Sequence, residues 1–327
     1  MKTVDIHTHL LSSEVKFDRI FDKFAITLFA KKFGLNAKEL YENPYESYKA
    51  GLVRNVRSSK FMDKIVLFGV DAKVNEKGEI LHKDKTVCAS NDDVLEIYEQ
   101  NKDIIVPFFS INPLRPNALD LIDHYYEKGF KGAKFLQNYW GVDTREDRFT
   151  PYFEKLKKLD LPLVVHIGSE SSVNSDKSCE QISMLYHPLK IGVKTICAHM
   201  ALGYEGRHIF RSLSKNPRNF NKEYFALLEL LKTHDNLYAD VSALLTPIRA
   251  KVLRHLSQET SVHEKLLYGS DFPVPYSAIY NSYDLKFRQR LKLHKEQNPF
   301  DRYAKGILSY FSEDNAIWSN YKKIIAE

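Results

Sequence analysis

The sequence predicts an α/β protein built as a (β/α)8 TIM barrel with a helical insertion after the first strand. Three observations carry that expectation. Eight short apolar runs rich in β-branched residues recur along the 327 residues, and segments of helical period separate most of them. The runs are apolar almost continuously rather than in alternation, as in strands buried on both faces. Eight such units suggest a closed ring. An open doubly wound sheet is the rival, but no Gly-x-Gly-x-x-Gly follows the first run.

Taken in order, strands are expected at 4–10, 64–70, 104–111, 132–136, 163–167, 194–200, 237–241 and 266–270. Helices are expected at 118–128, 151–159, 224–233 and 247–256. In the third of these, Phe225, Leu228 and Leu231 recur at helical spacing, and in the fourth Pro247 suits a first-turn position. Two segments exceed a minimal barrel. Residues 11–63 carry a stripe of Phe17, Ile20, Phe21, Phe24 and Leu28, and Asp22, Lys23, Lys31 and Lys32 exclude a membrane reading. A packed helical lid over the top face is expected there. Residues 273–305 follow the last strand and are expected to be a loop-rich insertion. The whole of 1–327 is read as one barrel domain without internal repeats.

Composition narrows the function classes. With 43% hydrophobic, 13% aromatic and 28% charged residues, the chain is an ordinary globular one and not disordered. No window approaches ~20 uninterrupted apolar residues, so no membrane span is expected. The opening Met-Lys-Thr-Val-Asp-Ile-His runs directly into the first strand, and no signal peptide is expected. Cys88, Cys179 and Cys197 are too few and too scattered for a disulfide framework or a zinc knuckle, so a reducing cytoplasm is the expected location. The net charge of +6 is mild, and Lys155, Lys157 and Lys158 read as the solvated face of a helix. A nucleic-acid partner is not expected, whereas a small anionic substrate is favoured slightly by the charge.

Barrel enzymes carry their chemistry at the C-terminal ends of the strands. His7 and His9 close the first run, and being two apart they face the same side and are expected to point into the barrel. Lys134 lies near the end of the fourth, His166 ends the fifth, His199 the sixth, and Asp271 the eighth. Any one histidine would read as a satisfied core residue. Four histidines and an aspartate gathered at strand tops would carry a heavy desolvation cost unless something binds them. A divalent metal does, since neutral imidazole and carboxylate are good ligands for zinc and similar ions.

From His-Thr-His at the first strand to Gly-Ser-Asp-Phe-Pro at the eighth and Glu313-Asp314-Asn315-Ala316 before an expected terminal helix, the ordered set resembles the amidohydrolase superfamily. Within it, the resemblance is to the amidohydrolase-related group that includes aminocarboxymuconate-semialdehyde decarboxylase and lactone hydrolases. The resemblance implies that His7, His9, His166 and Asp271 are metal ligands. It implies that His199 is an acid/base or electrophile in a one-metal site, or a second-metal ligand in a two-metal site. Lys134 falls where two-metal members carry a carboxylated lysine. It could equally contact a substrate carboxylate or serve as a structural ion-pair partner. One divalent metal, zinc, is expected, with a second only if Lys134 is carboxylated. Such a metal lowers the pKa of water towards ~7, with Asp271 placed to accept the proton and His199 to polarise the group attacked.

The function implied is a metal-dependent hydrolase or non-oxidative decarboxylase acting on a small, carboxylate-bearing molecule. A metal-dependent nuclease or phosphodiesterase is the first alternative, but that pattern has glutamate where Lys134 stands. A non-catalytic metal- or ligand-binding barrel is the second. Further substrate contacts are expected from Arg207, with His208 beside it, and from Tyr139 and Trp140 as an aromatic wall, with packing under a loop the equal alternative for these two. Oligomeric state is not legible in the sequence.

Overall fold

A computed structural model describes residues 2–13, 30, 33–81, 89–169, 175–203, 214–274, 276, 278 and 284–325. Its strands are β1 (Thr3–His9), β2 (Met62–Phe68), β3 (Ile105–Phe108), β4 (Ala133–Phe135), β5 (Leu163–Val165), β6 (Thr195–Cys197), β7 (Leu237–Asp240) and β8 (Leu266–Leu267). These are the eight expected runs, with β1 and β2 starting one and two residues earlier and the other ends trimmed by up to a few residues. Every pairing is parallel, in one sheet β1-β2-β3 and another β4-β5-β6-β7-β8. Single parallel bridges, Phe109 to Ala133 and Thr8 to Phe272, span the two seams. At one seam Lys134 N donates to Phe109 O at 2.7 Å, and at the other His9 N donates to Phe272 O at 2.7 Å. The strands therefore follow one another around a ring in sequence order.

Two apolar layers explain why the runs lack alternation. Val66, Phe68, Val106, Phe108, Val164 and Ile196 fill the barrel interior. Their strand neighbours Ile65, Leu67, Ile105, Leu163, Val165 and Cys197 face the surrounding helices. Each such side chain contributes about 1.5–3 kcal/mol by leaving water. Ile324 and Tyr321 plug the interior layer from below. The C-terminal end is built of 3-10 turns, Ala316–Trp318 and Asn320–Lys323, tied to the strands by Asn320 Nδ2 donating to Leu266 O at 2.8 Å.

Helices α1 (Ala37–Glu42), α2 (Pro44–Ser58), α3 (Asn91–Gln100), α4 (Ala118–Glu127), α5 (Gln137–Trp140), α6 (Thr150–Lys158), α7 (Tyr186–Ile191), α8 (Lys222–Thr233), α9 (Leu253–Gln258), α10 (Phe287–His294) and α11 (Pro299–Ile307) surround the strands. Local signals set their ends. In α3 the Ser90 hydroxyl accepts from Asp93 N at 3.2 Å and Asp93 Oδ2 from Ser90 N at 2.9 Å, a reciprocal capping box. In α6 Pro151 opens the first turn, and Lys155, Lys157 and Lys158 complement the dipole in the last. No helix of the described residues is long and apolar enough to cross a membrane.

Several expectations are corrected. The inward arc of α8 is Tyr224, Leu227, Leu228 and Leu231. Phe225 is exposed and stacks instead on Phe220. Pro247 lies in turns ahead of the helix, because Tyr303 Oη donates to Val241 O at 2.7 Å and accepts from Leu244 N at 3.0 Å, folding this stretch on itself. The helix begins as a 3-10 turn at Ala250 and continues as α9. Residues 284–307 of the expected loop-rich insertion are largely helical, in α10 and α11, with Pro299 at the start of α11 and Asn298 capping it. The insertion after β1 carries helices α1 and α2. Its expected lid stripe, Phe17 to Leu28, lies outside the described residues.

Gly69, at the end of β2, gives a test of packing. A Cβ there would stand 1.7 Å from Ala89 O, and that carbonyl also accepts from Val70 N at 3.1 Å. The obstacle is backbone, which cannot rotate aside, so Gly69→Ala is expected to destabilise the fold by about 3 kcal/mol. Urea unfolding midpoints of the two proteins check this.

Candidate metal centre

The centre starts from an irregularity in β1. Pairing with β2 shifts register between Asp5 and Thr8, so three steps of β1 span two of β2. Val4 and Ile6 lie in the interior layer. By simple alternation His7 would then face outward. The bulge reverses the parity, and His7 and His9 both reach the interior, where their rings lie 4.9 and 4.6 Å from Phe68. Asp5 Oδ1 holds the bulge by accepting from His7 N at 3.1 Å and Ser270 N at 2.9 Å. Burial pushes the Asp5 carboxyl up to about 7.

On the other side of the seam, Gly269 lets the chain approach, since a Cβ there would be 3.0 Å from His7 Cβ. Asp271 follows with a left-handed φ of 63°, fastened by its N–H donating to His7 O at 2.8 Å. Three imidazole Nε2 atoms converge on its carboxylate. Those of His7 and His9 are each 3.4 Å from Oδ1, and that of His199 is 3.7 Å from Oδ2. His7, His199 and Asp271 are buried, whereas the His9 side chain is 15% exposed and marks the open side. Burial holds the His7 and His199 imidazoles well below their usual range, so both are neutral near pH 7. Burial also raises the Asp271 carboxyl, against the opposing pull of His9.

His199 reaches this point by unusual backbone. His199, Met200 and Ala201 have φ of 53°, 53° and 56°, three consecutive non-glycine residues in the left-handed region. Each costs about 1–2 kcal/mol, and strain of this kind concentrates at functional sites. Its bracing comes from β7. Asp240 Oδ1 accepts from His199 N at 2.9 Å, from Ser242 N at 3.0 Å and from the Ser242 hydroxyl. Asp240 Oδ2 accepts from His7 Nδ1 at 2.7 Å. His199 Nδ1 lies 2.8 Å from Ser242 Oγ and 3.1 Å from Ser242 O.

The remaining expected residues separate into groups. Lys134 is fully buried, with Nζ 3.2 Å from His7 Nε2 and 5.0 Å above the Phe68 ring. His166 stands one ring away, edge-on to His199 at 5.2 Å between centroids, with Gln137 Nε2 donating to its carbonyl. Trp140 does not line the centre. It packs edge-on to Phe135 in the outer layer and donates its indole N–H to Asp71 O at 2.9 Å. Tyr139 belongs to the same outer layer. The expected aromatic wall is thus helix-side packing, because Phe135 points away from the barrel axis. Arg207 and His208 lie outside the described residues.

Sequence reasoning missed Asp240, Ser242 and Arg249. The available signal for Asp240 was a carboxylate closing an otherwise apolar strand, two residues after the interior-facing Tyr238. Arg249 is buried after β7, donates Nε–H to Leu202 O at 2.7 Å, and its charge helps depress His199.

Two clusters among the described residues bring their possible ligand atoms within 4.8 Å of one another: His7, His9 and Asp271, and His7, His199 and Asp240. The second is already closed by hydrogen bonds through Nδ1. The first presents Nε2 atoms and a carboxylate towards the open side, and this donor set suits a divalent cation.

Comparisons with known proteins bear on the fold and the family. Among solved structures, the chain is similar to an amidohydrolase from Burkholderia multivorans with bound zinc (TM-score 0.54, 14% identity, 99% of each chain covered). It is similar also to an uncharacterized TIM-barrel protein from Bordetella bronchiseptica (TM-score 0.52, 13% identity, 95% of this chain and 99% of that one). A third is a 5-carboxyvanillate decarboxylase from Sphingomonas paucimobilis (TM-score 0.50, 12% identity, 99% and 98% covered). At such identities the likeness shows the shared barrel fold. No curated protein matches the sequence. Residues 4–302 match the family described as Amidohydrolase, and this match, running from the bulged first strand past the carboxylate after the eighth, shows that the chain belongs to the amidohydrolase family.

Proposed function

We propose that this chain is a metal-dependent enzyme that hydrolyses, or removes carbon dioxide from, a small carboxylate-bearing molecule. The observation that carries the reading is the convergence of His7, His9 and His199 Nε2 on Asp271. His7, His9, Asp271 and, from the end of β5, His166 would hold one divalent cation. Zinc is favoured, being the ion bound in the Burkholderia relative. When bound, such a cation acts as a Lewis acid towards a carbonyl or carboxylate oxygen and acidifies water.

The chain's own residues supply the proton transfers. Asp271 is set to take a proton from water beside it, its carboxyl raised by burial towards the range useful to a general base. His199 Nδ1 faces the Ser242 carbonyl, which can only accept. The ring proton therefore sits on Nδ1, and Nε2 offers a lone pair towards Asp271. His199 then acts as a base or ligand in the resting state, two of the roles the resemblance allows it. Lys134 donates to His7 Nε2, and its ammonium would pair with a substrate carboxylate as a point charge.

Decarboxylation is the companion reaction because a 5-carboxyvanillate decarboxylase shares the fold. The buried free thiols Cys179 and Cys197 support a reducing cytoplasm, and a small molecule, not nucleic acid, is the partner proposed. Turnover by the zinc-loaded protein is to be screened over lactones, amides, phosphodiesters and aromatic carboxylates. Activity on phosphodiesters alone defeats the reading. Metal content is expected near one equivalent per chain and unchanged by bicarbonate. Two equivalents falling to one in Lys134→Ala, with the mass of one carboxylate on Lys134, would show a bridged pair of metals instead.

A further inference from the structure

We infer that Asp240 is a positioning residue that sets the ring tautomer of His7 and braces the turn presenting His199, so that one carboxylate aligns two of the histidines of the centre. The inference rests on the metal reading only for why alignment matters. Its own basis is the hydrogen-bond pattern. Asp240 is fully buried at the end of β7, and both oxygens are engaged. Oδ2 receives His7 Nδ1 at 2.7 Å. A ring nitrogen facing a carboxylate oxygen at this distance carries the proton, so His7 Nε2 is left with its lone pair towards Lys134 and Asp271.

Oδ1 does a different task. It receives His199 N, the first amide of the three-residue left-handed turn, and Ser242 N. The Ser242 hydroxyl also donates to Oδ1, so its oxygen is left to accept from His199 Nδ1 at 2.8 Å. The carboxylate thus fastens the His7 ring directly, the His199 backbone directly, and the His199 ring through Ser242. Other groups facing this knot are Arg249, whose Nε is held by Leu202 O, and Asp5, which ties the His7 backbone to Ser270. Neither bonds to the Nδ1 atom of either ring. Ser242 Oγ also lies 3.2 Å from His7 Nδ1, and Lys134 Nζ lies 3.2 Å from His7 Nε2 as a donor that favours a lone pair there, so Asp240 acts on the His7 tautomer together with these two groups.

Asp240→Asn keeps the shape and tests the claim. Its amide either turns an N–H₂ towards His7 Nδ1 or withdraws the acceptor from His199 N. In metal-free protein labelled with ¹⁵N-histidine, the wild type is expected to show His7 and His199 protonated at Nδ1, assigned with His7→Gln and His199→Gln. In D240N the His7 signal is expected to move to the Nε2–H form. Zinc affinity, read by competition with a chromophoric chelator, is expected to fall about 10–100-fold, while circular dichroism stays native. Unchanged tautomers and zinc affinity in D240N overturn the inference. If D240N does not fold, the wild-type spectrum still decides, because His7 protonated at Nε2 overturns it outright. A wild-type chain that shows both Nδ1–H forms yet takes up no zinc supports the inference and defeats the metal reading.

Discussion

Replacing His7 by alanine is expected to strip the chain of its metal and of nearly all turnover. The ring is the most connected group of the centre, with Nε2 3.4 Å from Asp271 and 3.2 Å from Lys134, and Nδ1 2.7 Å from Asp240. Alanine removes one ligand from a small set and leaves the buried Asp240 oxygen short of its donor, which costs about 1–3 kcal/mol of stability by itself. Metal content by elemental analysis should drop from near one equivalent to near zero. With the electrostatic centre gone, kcat/KM should fall by at least about 10²–10³-fold. Melting of metal-free wild type against metal-free H7A separates the packing loss from the ligand loss. Full zinc occupancy in H7A would falsify the assignment of the centre.

Asp271→Asn is expected to act on chemistry more than on binding. The amide keeps the shape and one ligating oxygen, and the backbone tie from Asp271 N to His7 O at 2.8 Å does not depend on the side chain. What it loses is the ability to accept a proton from water. Turnover should drop about 10²–10⁴-fold, the span associated with a lost general base, while most of the zinc is retained. If kcat stays near the wild-type value with metal bound, another group removes the proton, and His199 with its free Nε2 becomes the candidate to test.

How far the chain could be read before folding is clearest at the two ends of the site. Val164 and Ile196 sit in runs apolar enough to demand burial on both faces, so β5 and β6 were legible from composition alone. The pairing of His7 with His9 was legible from the two-residue period. Trp140 was left between wall and packing because an aromatic after a strand end looks the same whether it turns into the barrel or behind it. It turns behind, onto Phe135, with its N–H on Asp71 O. Phe225 was misassigned for a related reason, since helical spacing marks a stripe but not which of two adjoining stripes meets the core.

By itself the sequence determined the eight-stranded barrel and the set of strand-end histidines with Asp271, because hydrophobic period and residue type are local properties. Only the tertiary structure decided how the first strand turns its histidines inward. A one-residue bulge in β1 reverses inside and outside, and its cause is the pairing of β1 with β2 together with the grip of Asp5 on Ser270 N, 265 residues away. Only the tertiary structure brought Asp240 to His7, 233 positions apart in the chain. A lone aspartate at the end of a strand carries no spacing signal, and its meaning arises when closure of the ring sets two distant strand tops side by side.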